Sequence, residues 1–152
     1  MESASFRTGP VPTSAESDVV VVHCSDARFQ LHFQQFLRDA LGVERYLLLA
    51  VPGGPQFLTL TEYLPKFSWV GWRWLKFMAD LSKPRRLILI GHGDCRWYLH
   101  SRFFHVQETL ADRQFADLRQ VRAMCVERFP AVAVETYFAK LDGEHAVFET
   151  VA

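Results

Sequence analysis

Runs of apolar residues without polar alternation recur along the chain, separated by segments of helical periodicity. The first run is Val19-Val20-Val21-Val22, the second spans residues 46–51 and the third spans residues 87–90. A strand without alternation is covered on both faces, so these runs predict a parallel sheet between helices. Apolar positions at helical spacing over residues 29–41, 58–81 and 111–129, with a break at Pro65, predict the connecting helices.

The C-terminal part of the chain predicts a pair of strands joined by a tight turn. Residues 131–139 and 146–151 flank the sequence Leu141-Asp142-Gly143-Glu144, which favours a hairpin. The element order then predicts an α/β fold with a mostly parallel β-sheet flanked by helices and an antiparallel C-terminal edge strand. Residues 1–17 are rich in Ser, Pro, Thr and Glu and predict a flexible N-terminal segment, followed by a single domain over residues 18–152.

Composition and charge narrow the class of protein. The 152 residues are 49% hydrophobic and 22% charged, which is typical of a globular domain. The chain has 17 Lys and Arg and 17 Asp and Glu, so its formal net charge of zero favours neither nucleic acid nor an anionic membrane as a partner. No apolar window reaches the roughly 18 residues of a membrane span, and the N-terminal residues lack a secretory signal pattern. We therefore expect a cytoplasmic protein with reduced thiols.

Side chains with metal-ligand chemistry follow two of the predicted strands. Cys24 ends the first strand, while His92 and Cys95 follow the third. Sites in open α/β sheets form beyond the carboxyl ends of strands, so we expect these three residues to meet. Two thiolates and one imidazole suit Zn²⁺ and leave the fourth tetrahedral position open, as in catalytic zinc sites.

Two charged residues follow the first cysteine closely. Asp26 and Arg28 lie two and four positions after Cys24. Asp26 can bind the metal as a fourth ligand and close the site, or it can pair with Arg28 and accept a hydrogen bond from water in the open position. Cys125 lies on the apolar side of a predicted helix and is expected in the core. His23 points away from Cys24 on the strand and is expected to be structural.

The pattern Cys24-x-Asp26-x-Arg28, followed by His92-x-x-Cys95, resembles the zinc signature of the β-class carbonic anhydrases. The resemblance extends over residues 19–151 and includes the turn near Gly53 and the final strand pair. It implies a zinc enzyme that hydrates carbon dioxide reversibly to bicarbonate and that pairs into homodimers. It also implies that Cys24, His92 and Cys95 hold the zinc and that Asp26 and Arg28 form the catalytic pair.

The chain departs from the family pattern near the predicted site. Arg96 stands where family members usually have Gly, and the Gln before the first strand and the Asn after the glycine turn are missing. The alternatives are a catalytically inactive zinc-binding domain, or a related hydrolase of carbonyl sulfide or carbon disulfide. The helix around Trp69, Trp72 and Trp74 is apolar over much of its circumference, which independently predicts burial between two subunits.

Overall fold

The computed structural model describes residues 5–59, 65–101 and 109–152. Its strands are β1 (Val19–Cys24), β2 (Leu47–Val51), β3 (Arg86–His92), β4 (Ala133–Asp142) and β5 (His145–Thr150). Within the described ranges these strands form one sheet in the order β2-β1-β3-β4-β5. The pairs β1–β2, β1–β3 and β3–β4 are parallel, and β4–β5 is antiparallel. The predicted α/β fold with an antiparallel C-terminal edge strand is confirmed.

The described helices are α1 (Gln30–Gln35), α2 (Pro65–Ser82), α3 (Arg96–Ser101) and α4 (Leu110–Arg128). A π-helical turn over Phe36–Ala40 continues α1, and a 3₁₀ helix over Gly54–Thr59 follows β2. Within the stretch predicted to be helical over residues 58–81, α2 begins at Pro65, where the sequence predicts a break, and residues 60–64 lie outside the described part. Proline suits the first position of a helix because its missing N–H has no intrahelical partner there.

The two faces of the sheet have separate apolar cores, which explains why β1 shows no polar alternation. Val20 and Val22 face α2 and α4, whereas Val19 and Val21 face α1. The first core includes Leu75, Leu89, Leu118, Val121 and Cys125, and the second includes Phe33, Leu37, Ile88 and Ile90.

Strand β2 differs from the fully buried strand that its sequence predicts. It lies at the edge of the sheet, and Leu48 is 42% exposed although Leu49 is buried. An apolar run gives no information about which strand takes the edge, because this depends on pairing between distant segments.

The residues before β1 contact the edge of the domain opposite the carboxyl ends of the parallel strands. Ser17 Oγ donates to the Arg45 carbonyl oxygen at 2.9 Å, and Arg45 Nη2 donates to the Ser14 carbonyl oxygen at 2.9 Å. Among the described helices, none combines the length and apolar character needed to cross a membrane.

Candidate metal centre

Sheet topology brings the predicted ligands to one place. Cys24 is the last residue of β1 and His92 is the last residue of β3, and these strands are parallel neighbours. Their carboxyl ends therefore meet at the same edge of the sheet. A short turn, in which Asp94 has a φ of +52°, leads from β3 to Cys95 and into α3.

The three donor atoms form a compact buried cluster. One sulfur or nitrogen atom from each of Cys24, His92 and Cys95 lies within 4.8 Å of the other two, and the two Sγ atoms are 4.0 Å apart. A tetrahedral zinc ion with Zn–S distances of about 2.3 Å separates two sulfur ligands by about 3.8 Å. The spacing of the cluster thus fits Zn²⁺.

The orientation of the His92 ring supports the same conclusion. Its Nδ1 lies 2.8 Å from the Gly93 carbonyl oxygen and donates to it, which leaves Nε2 as the atom with a free lone pair. Nε2 is buried and has no hydrogen-bond partner among the described residues. An unpartnered buried nitrogen is costly, and coordination of a metal removes that cost. The hydrogen bond at Nδ1 fixes the ring as metal-ligating histidines usually require.

The surroundings of the two thiols favour one thiolate. The neighbouring Cys95 thiol lowers the pKa of Cys24 well below its ordinary value, and His92 adds to this effect while burial opposes it. The Gly53 N–H also donates to Cys24 Sγ at 3.3 Å. Hydrogen bonding to Cys24 and burial together raise the pKa of Cys95. Metal binding needs deprotonated sulfur, and of the two cysteines Cys24 is the one whose surroundings favour that form.

Asp26 lies beside the cluster and is held by Arg28. The guanidinium contacts both carboxylate oxygens, with Nη2–Oδ2 at 2.7 Å and Nε–Oδ1 at 3.0 Å, and the Arg28 backbone N–H donates to Oδ1 at 3.0 Å. Hydrogen bonding from Arg28 is the main cause that lowers the pKa of Asp26 to about 2. Asp26 Oδ2 is 4.0 Å from His92 Nε2, which is beyond hydrogen-bond distance. The carboxylate is therefore ionised and turned toward Arg28.

Arg28 is fixed on its other side by a residue that sequence reasoning missed. Its Nη1 contacts Asp94 Oδ2 at 2.9 Å, and Arg96 Nη2 contacts the same oxygen at 3.1 Å. The side chain of Arg96 is mostly exposed. Asp94 stands one residue before a predicted ligand, but nothing in the sequence pairs it with Arg28.

The remaining candidates are not among the three donors of the cluster. His23 is buried on the face of the sheet opposite Cys24, with its ring centroid 4.4 Å from that of Phe33. Cys125 lies on the buried side of α4, within the core, and is not part of the cluster.

Helix α4 contributes two further residues that the sequence analysis did not identify, Gln114 and Asp117. Gln114 Nε2 donates to the His92 carbonyl oxygen at 2.7 Å, and Asp117 accepts a hydrogen bond from Tyr98. Both lie on the buried side of α4 together with Leu118 and Val121. Their helical spacing from these apolar residues is the sequence feature that could have identified them.

An apolar recess of about 450 Å³ lies next to the cluster. Val51, which is paired with Cys24 across the sheet, and Trp97, two residues after Cys95, form part of its wall. The other lining residues are also apolar: Pro52, Phe57, Phe67, Val70 and Trp74. Because its lining is almost entirely apolar, the recess suits a small neutral molecule better than an ion.

No family model matches the chain, and no curated protein matches it by sequence. Solved structures of carbonic anhydrases do match its fold. The enzyme from Glaciozyma antarctica superposes with a TM-score of 0.59 at 16% identity, covering 95% of this chain and 87% of that one. For the carbonic anhydrase from Streptococcus mutans, the TM-score is 0.59 at 14% identity, with 96% and 88% covered. For β-carbonic anhydrase isoform I from Trichomonas vaginalis, it is 0.52 at 15% identity, with 95% and 87% covered.

These likenesses show that the chain has a β-carbonic-anhydrase-like fold. At this level of identity they do not assign an activity. The Cys24–His92–Cys95 cluster, found at the carboxyl edge of the sheet, is compatible with a metal site in that fold.

Proposed function

We propose that the chain holds Zn²⁺ through Cys24, His92 and Cys95 and catalyses the reversible hydration of carbon dioxide to bicarbonate. The observation that carries this proposal is the buried cluster with an unpartnered His92 Nε2, beside a carboxylate held by Arg28. Bound zinc supplies Lewis acidity and makes hydroxide available from water near neutral pH.

The chain's own residues provide orientation and a suitable environment. Asp26 is ionised and can accept a hydrogen bond from a water molecule or hydroxide at the cluster, while Arg28 holds it in place. The apolar recess suits carbon dioxide, which is neutral, better than it suits the bicarbonate anion. The arrangement therefore favours an open site over one that Asp26 closes.

The proposal is tested by pairing Cys24→Ala with Cys125→Ala, since both variants remove a buried thiol and only the first removes a cluster residue. Zinc content is measured by elemental analysis and hydration by stopped-flow. We expect one zinc per chain and hydration in the wild type and in Cys125→Ala, and loss of both in Cys24→Ala. A zinc-loaded wild type that hydrates no carbon dioxide at any pH would instead support an inactive zinc-binding domain.

A second candidate activity is hydrolysis of carbonyl sulfide or carbon disulfide. The apolar recess favours it, because these substrates are larger and more polarisable than carbon dioxide and equally free of charge. Assay of the same two variants with all three substrates separates the possibilities. Turnover of a sulfur substrate without carbon dioxide hydration would make the second candidate the function of the site.

We also propose that the chain forms a homodimer in the cytoplasm, where its thiols stay reduced. Helix α2 buries Trp72 against the core but leaves Trp69 63% exposed and Phe77 63% exposed, and Phe67 and Trp74 are exposed as well. A row of exposed aromatic residues on one helix is typical of an interface. Light scattering at micromolar concentration should give twice the chain mass, and Trp69→Ser with Phe77→Ser should give a monomer. A wild-type monomer would refute this proposal.

A further inference from the structure

Helix α4 carries polar residues on its buried side, at the end nearest the metal centre. Gln114 is 3% exposed and Asp117 is 2% exposed, and they are three positions apart on the helix, so they lie on one face. The same face continues with Leu118, Val121 and Cys125 in the core. A buried amide and a buried carboxylate are costly unless they are hydrogen-bonded, so their partners show what they do.

Asp117 is bound to two side chains. Tyr98 Oη donates to its Oδ2 at 2.8 Å, and Arg113 Nε lies 3.1 Å from its Oδ1, one helical turn away. Burial raises the pKa of Asp117, and the contacts with Tyr98 and Arg113 oppose that rise. Because the Arg113 side chain retains some exposure, it can stay hydrated while it balances the charge of the carboxylate.

Tyr98 connects this carboxylate with the predicted ligands. It lies in α3, three residues after Cys95, and packs in one buried cluster with Cys24 and Cys95. The described part of helix α3 is six residues long, and short helices take much of their stability from tertiary contacts. The Tyr98–Asp117 hydrogen bond is such a contact, and it ties the helix that follows Cys95 to α4.

Two further contacts converge on the same region. Gln114 Nε2 donates to the His92 carbonyl oxygen, so α4 holds the chain on the other side of the turn as well. Trp97 Nε1 donates to Gln56 Oε1 at 2.9 Å, which joins α3 to the 3₁₀ helix after β2. Helix α4 thus holds the His92–Cys95 turn at both ends.

We propose that Asp117 is a positioning residue for the metal centre. Through Tyr98, Asp117 fixes the start of α3 and thereby holds Cys95 Sγ at the distance from Cys24 and His92 that a metal ion requires. This positioning role rests on the metal site of the proposed function. Asp117 acts on the cluster through its hydrogen bond with Tyr98.

The test measures metal binding in Asp117→Ala, which removes the acceptor of the Tyr98 hydrogen bond, and in Tyr98→Phe, together with the double variant. Co²⁺ titration reports affinity, and the cobalt d–d and thiolate charge-transfer bands report coordination geometry. We expect each single variant to lower the affinity for Co²⁺ and Zn²⁺ about 10-fold to 100-fold and to change the d–d bands. The double variant should bind metal no more weakly than the single variant with the larger loss of affinity, because both substitutions remove the same Tyr98–Asp117 hydrogen bond.

Val121→Ala is the matched control, since it removes buried volume from the same face of α4 and leaves the polar contacts intact. It should lower the urea midpoint while keeping wild-type cobalt bands and affinity. Tyr98→Phe keeps the ring and its packing, so it tests the hydrogen bond even if Asp117→Ala fails to fold.

The outcomes separate this inference from the proposed function. A wild type that binds neither Zn²⁺ nor Co²⁺ overturns both. If the wild type binds metal and Tyr98→Phe matches it in affinity and bands, only the positioning role is overturned. Equal loss of affinity in Val121→Ala would likewise overturn it, because general destabilisation would then be the cause.

Discussion

Gly53→Ala is expected to destabilise the protein through two separable effects. Gly53 has a φ of +79°, and a Cβ at this position would lie 2.4 Å from Trp97 Cδ1 and 3.2 Å from Gln56 Oε1. Left-handed backbone costs an alanine about 1–2 kcal/mol. Overpacking against the partly buried Trp97 costs about 1–3 kcal/mol more. The free energy of unfolding should therefore fall by about 2–5 kcal/mol.

Gly42→Ala isolates the backbone effect. Gly42 has a φ of +65°, and nothing lies within 4 Å of a Cβ built there. Urea unfolding should show a decrease of about 1–2 kcal/mol for this variant, with an unchanged m-value in both. If the two variants have the same urea midpoint, the contact between Gly53 and Trp97 does not constrain the turn, and the reasoning is wrong.

The same substitution should also affect the metal centre. The Gly53 N–H donates to Cys24 Sγ, and movement of Trp97 to admit a Cβ would strain its hydrogen bond to Gln56. We therefore expect Gly53→Ala to lower Zn²⁺ affinity, measured by competition with a chelator, and Gly42→Ala to keep it. Unchanged affinity in Gly53→Ala would show that the turn does not support the cysteine.

Three further predictions concern charge pairs and the N-terminal segment. Arg28→Ala should retain zinc but let Asp26 close the site, which should lower the hydration rate about 100-fold. Arg28→Lys should restore the rate only in part, because an ammonium cannot make the two-point contact with the carboxylate. A crystal structure of Arg28→Ala with Asp26 still away from the metal would contradict this. Hydrogen bonding from Arg86 lowers the pKa of Glu135. The ion pair therefore stabilises the fold fully at pH values above the ordinary carboxyl pKa, and this stabilisation is lost as the pH falls through the lowered pKa of Glu135. Glu135→Gln should thus lower the free energy of unfolding by about 1 kcal/mol at pH 7 and by less below about pH 4, whereas a constant difference would exclude the ion pair as its cause. Removal of residues 1–13 should leave the melting temperature unchanged, and a clear decrease in calorimetry would show that this segment belongs to the domain.

The sequence by itself determined the class of fold and the residues that meet at its edge. Continuous apolar runs such as Val19 to Val22 indicate strands covered on both sides, and the α/β order follows from their spacing. Parallel strands align their carboxyl ends, so residues that end two strands of one sheet lie at the same edge. Cys24 and His92 could be placed in one cluster for that reason.

Other features depended on contacts between distant segments. Periodicity could not show that β2 lies at the edge, or that a six-residue helix would form after Cys95, since short elements take their stability from their neighbours. Asp26 could have turned to the metal or to Arg28, and both were consistent with the spacing.

Only the tertiary structure decided between these orientations. Asp94 comes from the turn after β3 and fixes the far side of Arg28, which keeps Asp26 paired with the guanidinium. The burial of Asp117 was overlooked, because a charged residue in an amphipathic helix is expected on the solvent side, although its spacing from Leu118 and Val121 places it on the buried face. It is buried because Tyr98, 19 residues earlier in the chain, supplies the hydrogen bond that offsets the cost of removing its carboxylate from water.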